Sequence, residues 1–253
     1  MREIFPLNRD WLFIREAAAP SAQPETVELP HANTLLPYNY LDETAYQFVS
    51  VYTRTLYAPE AWRARRVFVR FEGVMAYAEV FCNDAPVGAH KGGYTPFTVE
   101  LTHHLRIGAE NTLRVRVDST ERPDIPPCGN VVDYLTYGGI YRDVWLYQCN
   151  EAYVERLLVR YELKGDDAVL TPEVVVDNKG EAFDAEAAVT VSDAEGKEVL
   201  SYKREISVAG GHAGYTLEPE TLAGVHKWNM DDPYLYTVKV VLSKKDGSAV
   251  DTH

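Results

Sequence analysis

The sequence predicts an all-β protein made of two successive β-sandwich modules, at residues 1–150 and 151–253. Three observations predict this class: apolar residues recur at every second position, turn-forming clusters separate the apolar runs, and no long segment has helical periodicity. The 253 residues suffice for two domains, each able to bury a core without disulfides. With 46% apolar and 25% charged residues, the composition excludes a disordered chain.

In the first module, four runs place apolar side chains on one face of a strand and polar ones on the other. These runs are residues 67–71, 80–82, 97–101 and 113–117. In the first run, Val67, Val69 and Phe71 share a face and Arg70 points away. Turn-forming clusters such as Asn83-Asp84-Ala85-Pro86 lie between the runs. Short strands with frequent turns are typical of an all-β sandwich.

In the second module, the predicted strands are more evenly spaced and their loops are short and charged. The loops at 177–180, 193–197 and 244–248 have the composition of hairpin turns. A segment of about 100 residues with this pattern is typical of an immunoglobulin-like sandwich. Its last strand, at 249–253, is short, and from this we expect the sequence to be a piece of a longer protein.

The charge and the cysteines limit the partners and the compartment. With 25 basic and 38 acidic residues the formal net charge is −13, so we expect neither nucleic acid nor a membrane surface as a partner. No apolar run reaches the ~20 residues of a transmembrane helix, and the first residues do not resemble a secretory signal. Three widely spaced cysteines, Cys82, Cys128 and Cys149, are typical of reduced thiols, so a cytoplasmic location is expected.

The residues by themselves indicate no catalytic group, no metal site and no cofactor. Glycoside hydrolysis requires two carboxyl groups about 5–10 Å apart. The chain has three adjacent acidic pairs, which we interpret as solvated turn residues: Asp42-Glu43, Asp166-Asp167 and Asp231-Asp232. The single histidine pair, His103-His104, would point to opposite faces of a strand and so would not bind one metal ion.

The aromatic residues are a further indication of possible function. The chain has 17 tyrosines and 4 tryptophans, spread over both modules. Aromatic rings stack on the C–H faces of sugars, and they also fill the cores of β-sandwiches. Both interpretations remain open, so a stand-alone carbohydrate-binding module is one functional hypothesis.

Three stretches together resemble the N-terminal domains of glycoside hydrolase family 2, which includes β-galactosidases, β-glucuronidases and β-mannosidases. They are Gly-Ala-His-Lys-Gly-Gly-Tyr-Thr-Pro-Phe at 88–97, Tyr-Gly-Gly-Ile-Tyr-Arg-Asp-Val at 137–144, and the stretch from Trp228 to Tyr236. The resemblance implies a galactose-binding-like jelly-roll sandwich at 1–150, with a sugar-binding role, and an immunoglobulin-like sandwich at 151–253. In the second stretch we expect Gly138-Gly139 to allow close backbone approach and Arg142 to form an ion pair.

The resemblance also implies two substrate-binding residues. Asp133 lies five residues before Gly138, where the family has an aspartate that contacts sugar hydroxyls in the neighbouring active site. In some galactosidases this aspartate also helps to hold a cation, so a cation near Asp133 would be a property of the complete enzyme. The alternative is a loop aspartate that only caps the backbone. Asn39 resembles an asparagine that some β-galactosidases also direct at the sugar.

The family places both catalytic glutamates on a (β/α)₈ barrel of ~250 residues that follows the immunoglobulin-like domain. This chain has no such barrel, so we expect it to be inactive alone. The resemblance implies the non-catalytic N-terminal part of a retaining β-glycosidase, with β-galactosides as the first candidate substrates. Here it would support the barrel and lend Asp133. The alternatives are a stand-alone carbohydrate-binding module and a subunit-docking module that helps to build a homo-oligomer.

Overall fold

The computed structural model describes residues 2–35, 42–129 and 134–253. Over these residues the chain has eighteen strands and three short 3₁₀-helices, which confirms the all-β prediction. They form two compact units, Glu3–Gln148 and Cys149–His253, and the second unit also includes Arg2. We call them the N-terminal sandwich and the C-terminal sandwich. No helix in the described part of the chain is long and apolar enough to cross a membrane.

The N-terminal sandwich has ten strands: β1 (Glu3–Pro6), β2 (Trp11–Arg15), β3 (Glu25–Val27), β4 (Val49–Ala58), β5 (Arg66–Phe71), β6 (Tyr77–Cys82), β7 (Ala85–Lys91), β8 (Phe97–Glu100), β9 (Ala109–Asp118) and β10 (Val144–Cys149). Its 3₁₀-helices span Glu43–Ala45, Glu60–Trp62 and Thr102–His104. A six-stranded sheet has the order β3-β2-β4-β9-β6-β7, and a four-stranded sheet has the order β1-β10-β5-β8.

One hydrophobic core joins the two sheets of the N-terminal sandwich. As the alternation predicts, Val67, Val69 and Phe71 are buried in it and Arg70 is exposed. Phe68 differs from the prediction, because it is also buried although it lies on the opposite face of β5. Its ring stacks on that of Tyr147 at 4.9 Å between centroids. An aromatic neighbour on the next strand therefore covers a position that alternation alone assigns to solvent.

The C-terminal sandwich has eight strands: β11 (Ala152–Lys164), β12 (Asp167–Asn178), β13 (Phe183–Ser192), β14 (Glu198–Val208), β15 (Gly211–Thr216), β16 (Glu220–Leu222), β17 (Thr237–Lys244) and β18 (Ala249–Thr252). One sheet contains β11, β12 and β15, with β16 also paired to β12, and the other has the order β14-β13-β17-β18. Small β-branched and alanine side chains from both sheets form the core, among them Val174, Val176, Ala187, Val189 and Val240.

Two of the three predicted hairpin turns are confirmed and one prediction is wrong. The loop at 193–197 joins the antiparallel pair β13 and β14, and the loop at 244–248 joins β17 and β18. The loop at 177–180 instead connects β12 to β13, which belong to different sheets. Asn178 folds this loop by donating to the carbonyl oxygens of Glu181 (2.9 Å) and Ala209 (3.1 Å). Turn-forming residues therefore determined that the chain reverses, but not which strand it pairs with.

A buried ion pair ties Arg2 into the C-terminal sandwich. Asp251 is fully buried, and its Oδ2 accepts from Nη2 of Arg2 and from the backbone N–H of Val154, each at 3.0 Å. Nη2 of Arg2 also donates to the carbonyl oxygen of Val154 at 2.5 Å. Because a buried carboxylate requires compensation, Arg2 is part of this unit's interior rather than a loose terminus.

Candidate functional site

The two predicted substrate-binding residues, Asn39 and Asp133, lie outside the described residues. The site is therefore described from the segments that flank them, residues 31–35 and 42–48 around the first, and residues 134–142 after the second. A third segment, the turn at 91–95, contacts residues 134–142.

The glycine pair after Asp133 is held by backbone hydrogen bonds on two sides. The N–H of Asn33 donates to the carbonyl oxygen of Gly138 at 2.8 Å, and the N–H of Met75 donates to that of Gly139 at 3.0 Å. Gly139 has φ +119°, and a Cβ there would lie 2.5 Å from the carbonyl oxygen of His31. Glycine is therefore required at this position, which agrees with the close approach expected from the sequence.

Asn33 fixes the chain that leads to residue 36 through a buried polar network. Its Nδ2 donates to Oγ of Ser119 at 3.0 Å and to the carbonyl oxygen of Tyr46 at 3.1 Å. Oγ of Ser119 in turn donates to the carbonyl oxygen of Phe48 at 2.8 Å. Among the described residues, Oδ1 of Asn33 has no hydrogen-bond partner. The network joins the segments on both sides of residues 36–41 to the end of β9.

His31 lies beside this network and is partly buried. Its Nδ1 is 2.9 Å from the hydroxyl of Tyr52, and its ring packs against Phe13 at 4.9 Å between centroids. Burial lowers the pKa of His31 and raises that of Tyr52, so both side chains are neutral at pH 7. A neutral histidine bonded to a buried tyrosine stabilises the fold and is a poor candidate for proton transfer.

Four tyrosines lie together at the surface, where the turn at 91–95 meets residues 134–142. We call Tyr94, Tyr134, Tyr137 and Tyr141 the tyrosine cluster. The hydroxyls of Tyr94 and Tyr134 are 3.4 Å apart, and the rings of Tyr137 and Tyr141 meet edge to face at 5.8 Å between centroids. The exposed fractions are 45% for Tyr94, 55% for Tyr134 and 37% for Tyr137. Sequence reasoning missed this cluster, because its members come from two segments that lie about 40 residues apart in the chain.

Backbone acceptors hold the cluster in place. The hydroxyl of Tyr141 donates to the carbonyl oxygen of Gly93, and Nη1 of Arg142 donates to that of Tyr94 at 3.5 Å. The Arg142 guanidinium also lies over the Tyr141 ring, at 5.4 Å from its centroid. Arg142 forms no ion pair with any described residue, so the ion pair expected from the sequence stays a prediction. Its role is to join the two loops.

The acidic pairs act as caps and surface ion pairs. Oδ1 of Asp42 accepts from the N–H of Thr44 at 3.0 Å and caps the first 3₁₀-helix, and these bonds to Thr44 lower the pKa of Asp42. Asp166 pairs with Lys227 at 3.3 Å, on the surface. His103 and His104 lie on a 3₁₀-helix and not on the strand we predicted. No group of three or more potential ligands among the described residues is arranged to hold a metal ion.

The C-terminal sandwich has an exposed apolar surface of its own around residues 226–236. Trp228, Met230 and Leu235 are 58%, 89% and 69% exposed, beside an open groove of about 500 Å³. The segment is held by His226, whose Nε2 is 2.5 Å from Asp232 and whose ring stacks on that of Tyr234 at 4.2 Å. This surface is aliphatic and aromatic, whereas the tyrosine cluster is aromatic with a hydroxyl on each ring.

Comparisons with known proteins cover nearly all of the chain. The model for "Glycosyl hydrolases family 2, sugar binding domain" matches residues 30–150, and the model for "Glycosyl hydrolases family 2" matches residues 152–253. A β-galactosidase of Thermoanaerobacterium thermosulfurigenes is 38% identical over 95% of this chain and 35% of its own length. A β-glucuronidase of Bacteroides fragilis is 31% identical over 99% of this chain and 37% of its own length.

A solved structure agrees with these matches. The crystal structure of a β-glucuronidase from Bacteroides uniformis superposes with a TM-score of 0.86 and 26% identity. It covers 100% of this chain, which corresponds to 32% of that protein. The chain thus spans about a third of the length of the curated relatives it matches.

Proposed function

Because this chain belongs to family 2 of the glycosyl hydrolases, as its three motifs predicted, we propose that it is the non-catalytic N-terminal part of an enzyme that hydrolyses terminal β-glycosides. One observation carries the proposal: both family models match in sequence along this chain, while the relatives are about three times as long. The two β-sandwiches match the domains that precede the rest of the longer relatives, which supports a non-catalytic, scaffolding role for this part.

We propose β-galactosides as the substrate class. The relatives with 38% and 34% identity are named β-galactosidases, and the relative with 31% identity is named a β-glucuronidase. In a retaining mechanism, one carboxyl group acts as acid and base and a second acts as nucleophile. Both groups would belong to the part of the enzyme beyond the two matched domains.

The role proposed for this chain is to bind and orient the sugar. A carboxylate at Asp133 accepts hydrogen bonds from sugar hydroxyls, and an amide at Asn39 both donates and accepts them. The segments that follow Asp133 and precede Asn39 are anchored by the bonds of Gly138, Gly139 and Asn33. Anchored flanks support a positioning role, since small displacements of an orienting group slow catalysis strongly.

We also propose carbohydrate as the partner class and a cytoplasmic location for the complete protein. Cys82 and Cys128 are free thiols, and burial raises the pKa of the Cys82 thiol to about 11, which makes it inert. We also propose that the complete enzyme is a homo-oligomer. Thiol titration of native and unfolded protein tests whether the cysteines are reduced, and light scattering of the complete enzyme measures its oligomeric state.

The decisive experiment uses the complete reading frame. The full protein is expected to hydrolyse chromogenic β-galactosides, and Asp133→Asn is expected to lower kcat/KM by at least about tenfold, with an unchanged thermal unfolding curve. Asp166→Asn is the matched control, because this exposed aspartate pairs only with a surface lysine among the described residues. Equal activity of both variants would remove Asp133 from the site, and a full protein inactive on every β-glycoside would refute the function.

A further inference from the structure

The geometry points to the tyrosine cluster as a binding surface for a pyranoside ring, with the exposed faces of Tyr94 and Tyr134 as its platform. The inference rests on the proposed function and deepens it, since it adds to the sugar contacts of the N-terminal sandwich a site made entirely of described residues. Its chemistry is ring stacking combined with hydrogen bonds from phenolic hydroxyls, which suits a ligand that has both C–H faces and hydroxyl groups.

The first argument is the exposure of these rings. Tyrosines of this sandwich occur in the core, as Tyr52 does with no exposed surface, and at the surface, as Tyr57 does at 58% exposure. Tyr94 and Tyr134 also leave about half of their surfaces in solvent, and although they lie 40 residues apart in the chain they meet at their hydroxyls. Two such rings brought together at one surface are typical of a recognition site.

The second argument is that hydrogen bonds and a β-bridge join the two loops that carry the platform. The carbonyl oxygens of Gly93 and Tyr94 accept hydrogen bonds from Tyr141 and Arg142, so the two loops are joined twice. The antiparallel bridge between Met75 and Gly139 fixes the base of residues 134–142. A pre-organised surface loses little conformational entropy on binding, which matters for a weak ligand such as a single sugar ring.

The third argument is the chemical character of the surface. The groove beside Trp228 in the C-terminal sandwich has a mainly apolar lining, with side chains such as Leu163, Leu235 and Val225 among its tyrosines, and this suits protein or another apolar partner. In the tyrosine cluster, by contrast, every member has a hydroxyl. Burial and the bond to Tyr134 raise the pKa of Tyr94 to about 12, so this hydroxyl remains a hydrogen-bond donor at physiological pH. A pyranoside offers complementary acceptors, whereas an aliphatic surface does not.

The test measures sugar binding by the 253-residue chain directly, without reference to hydrolysis. Methyl β-galactoside and methyl β-glucuronide are titrated by saturation-transfer NMR, and saturable binding is expected with a Kd on the order of 1 mM. Tyr94→Ala and Tyr134→Ala are each expected to weaken binding by about tenfold or more. Tyr94→Phe keeps the ring and removes the hydroxyl, so it is expected to weaken binding less than Tyr94→Ala.

Tyr57→Ala is the matched control, because Tyr57 is 58% exposed in the same sandwich and lies outside the cluster. Its Kd is expected to equal that of the unchanged chain. A folded chain that binds neither sugar, or Tyr94 and Tyr134 variants that bind as well as the Tyr57 variant, would overturn the inference. The proposed function would then still stand if the complete protein hydrolyses β-galactosides. Conversely, sugar binding by the chain together with a complete protein that hydrolyses no β-glycoside would refute the function and support the tyrosine cluster as a binding surface.

Discussion

The two sandwiches are held together in different ways. The N-terminal sandwich buries large residues such as Trp11, Tyr52 and Phe71, and buried side chains and glycines hold its long connections against the core. The C-terminal sandwich buries mainly valine and alanine between long strands, β11 to β14, of ten to thirteen residues each. Its short hairpin loops are held largely by their own exposed turn residues.

The difference shows where a recognition surface is built. A loop that crosses the edge of a sandwich holds a binding group in place only if its backbone N–H and C=O groups are hydrogen-bonded. The segments at 31–33 and 138–140 meet this condition, because they form backbone hydrogen bonds with each other. Regular hairpins need no such support and tolerate change. The N-terminal sandwich therefore has the candidate site, and the C-terminal sandwich is the more regular scaffold.

The largest expected effect is a loss of folding stability, measured for one Gly→Ala substitution in each sandwich. Gly139→Ala places a Cβ 2.5 Å from the carbonyl oxygen of His31 at a residue with φ +119°, so the N-terminal sandwich should lose about 4 kcal/mol or more. Gly165→Ala in the β11–β12 hairpin meets nothing within 4 Å and has φ +63°, so the cost should be about 1 kcal/mol. Hydrogen exchange resolved by segment measures the stability of each unit separately. Equal stability losses in the two variants would contradict the expected difference between the sandwiches.

The second prediction concerns the buried carboxylate of the C-terminal sandwich. Asp251→Ala removes the carboxylate that accepts from Arg2 and from the N–H of Val154, and should lower the free energy of unfolding of this unit by about 3 kcal/mol. Asp246→Ala, in the exposed turn of the same hairpin, should cost much less, since Asp246 caps only Ser248. Urea unfolding followed by hydrogen exchange measures both. If both variants were equally stable, the ion pair between Arg2 and Asp251 would not stabilise this unit.

The smallest expected effect is a pH dependence in the N-terminal sandwich. Hydrogen bonds from Arg122 and Lys91 lower the pKa of Asp124 to about 2 from its ordinary 3.8. Because the folded pKa is the lower one, this stabilisation is complete above about pH 4 and is lost as the pH falls through about 2. Carboxyl-carbon NMR should follow the titration, and Lys91→Met should raise the pKa. No change in that variant would contradict the role of Lys91.

The corresponding carboxylate in the C-terminal sandwich is Asp184. Bonds from Ser207 and Lys245 lower its pKa as well, so the same acid titration should show both carboxylates below their ordinary range. Asp124 should titrate lower, because two cationic partners hold it, whereas one of the two partners of Asp184 is a neutral hydroxyl. Both residues are exposed, so solvent screens these pairs and the effect on stability is small.

Local patterns predicted most of the strands, because period-two alternation reports which face of a strand is buried. Val67, Val69 and Phe71 are buried as predicted, and the turns at 193–197 and 244–248 join the strands on either side of them. The three motifs also indicated the correct family. Each of these signals lies within a few consecutive residues, where sequence directly reflects structure.

What the patterns did not predict depends on contacts between distant residues. The loop at 177–180 leads to another sheet, Arg142 bonds to the carbonyl oxygen of Tyr94, and Arg2 pairs with Asp251. The sequence by itself determined the all-β class and the family, since alternation and motifs are local. Only the tertiary structure decided that Tyr94 and Tyr134 form one surface, because that meeting depends on how two loops pack against a shared core.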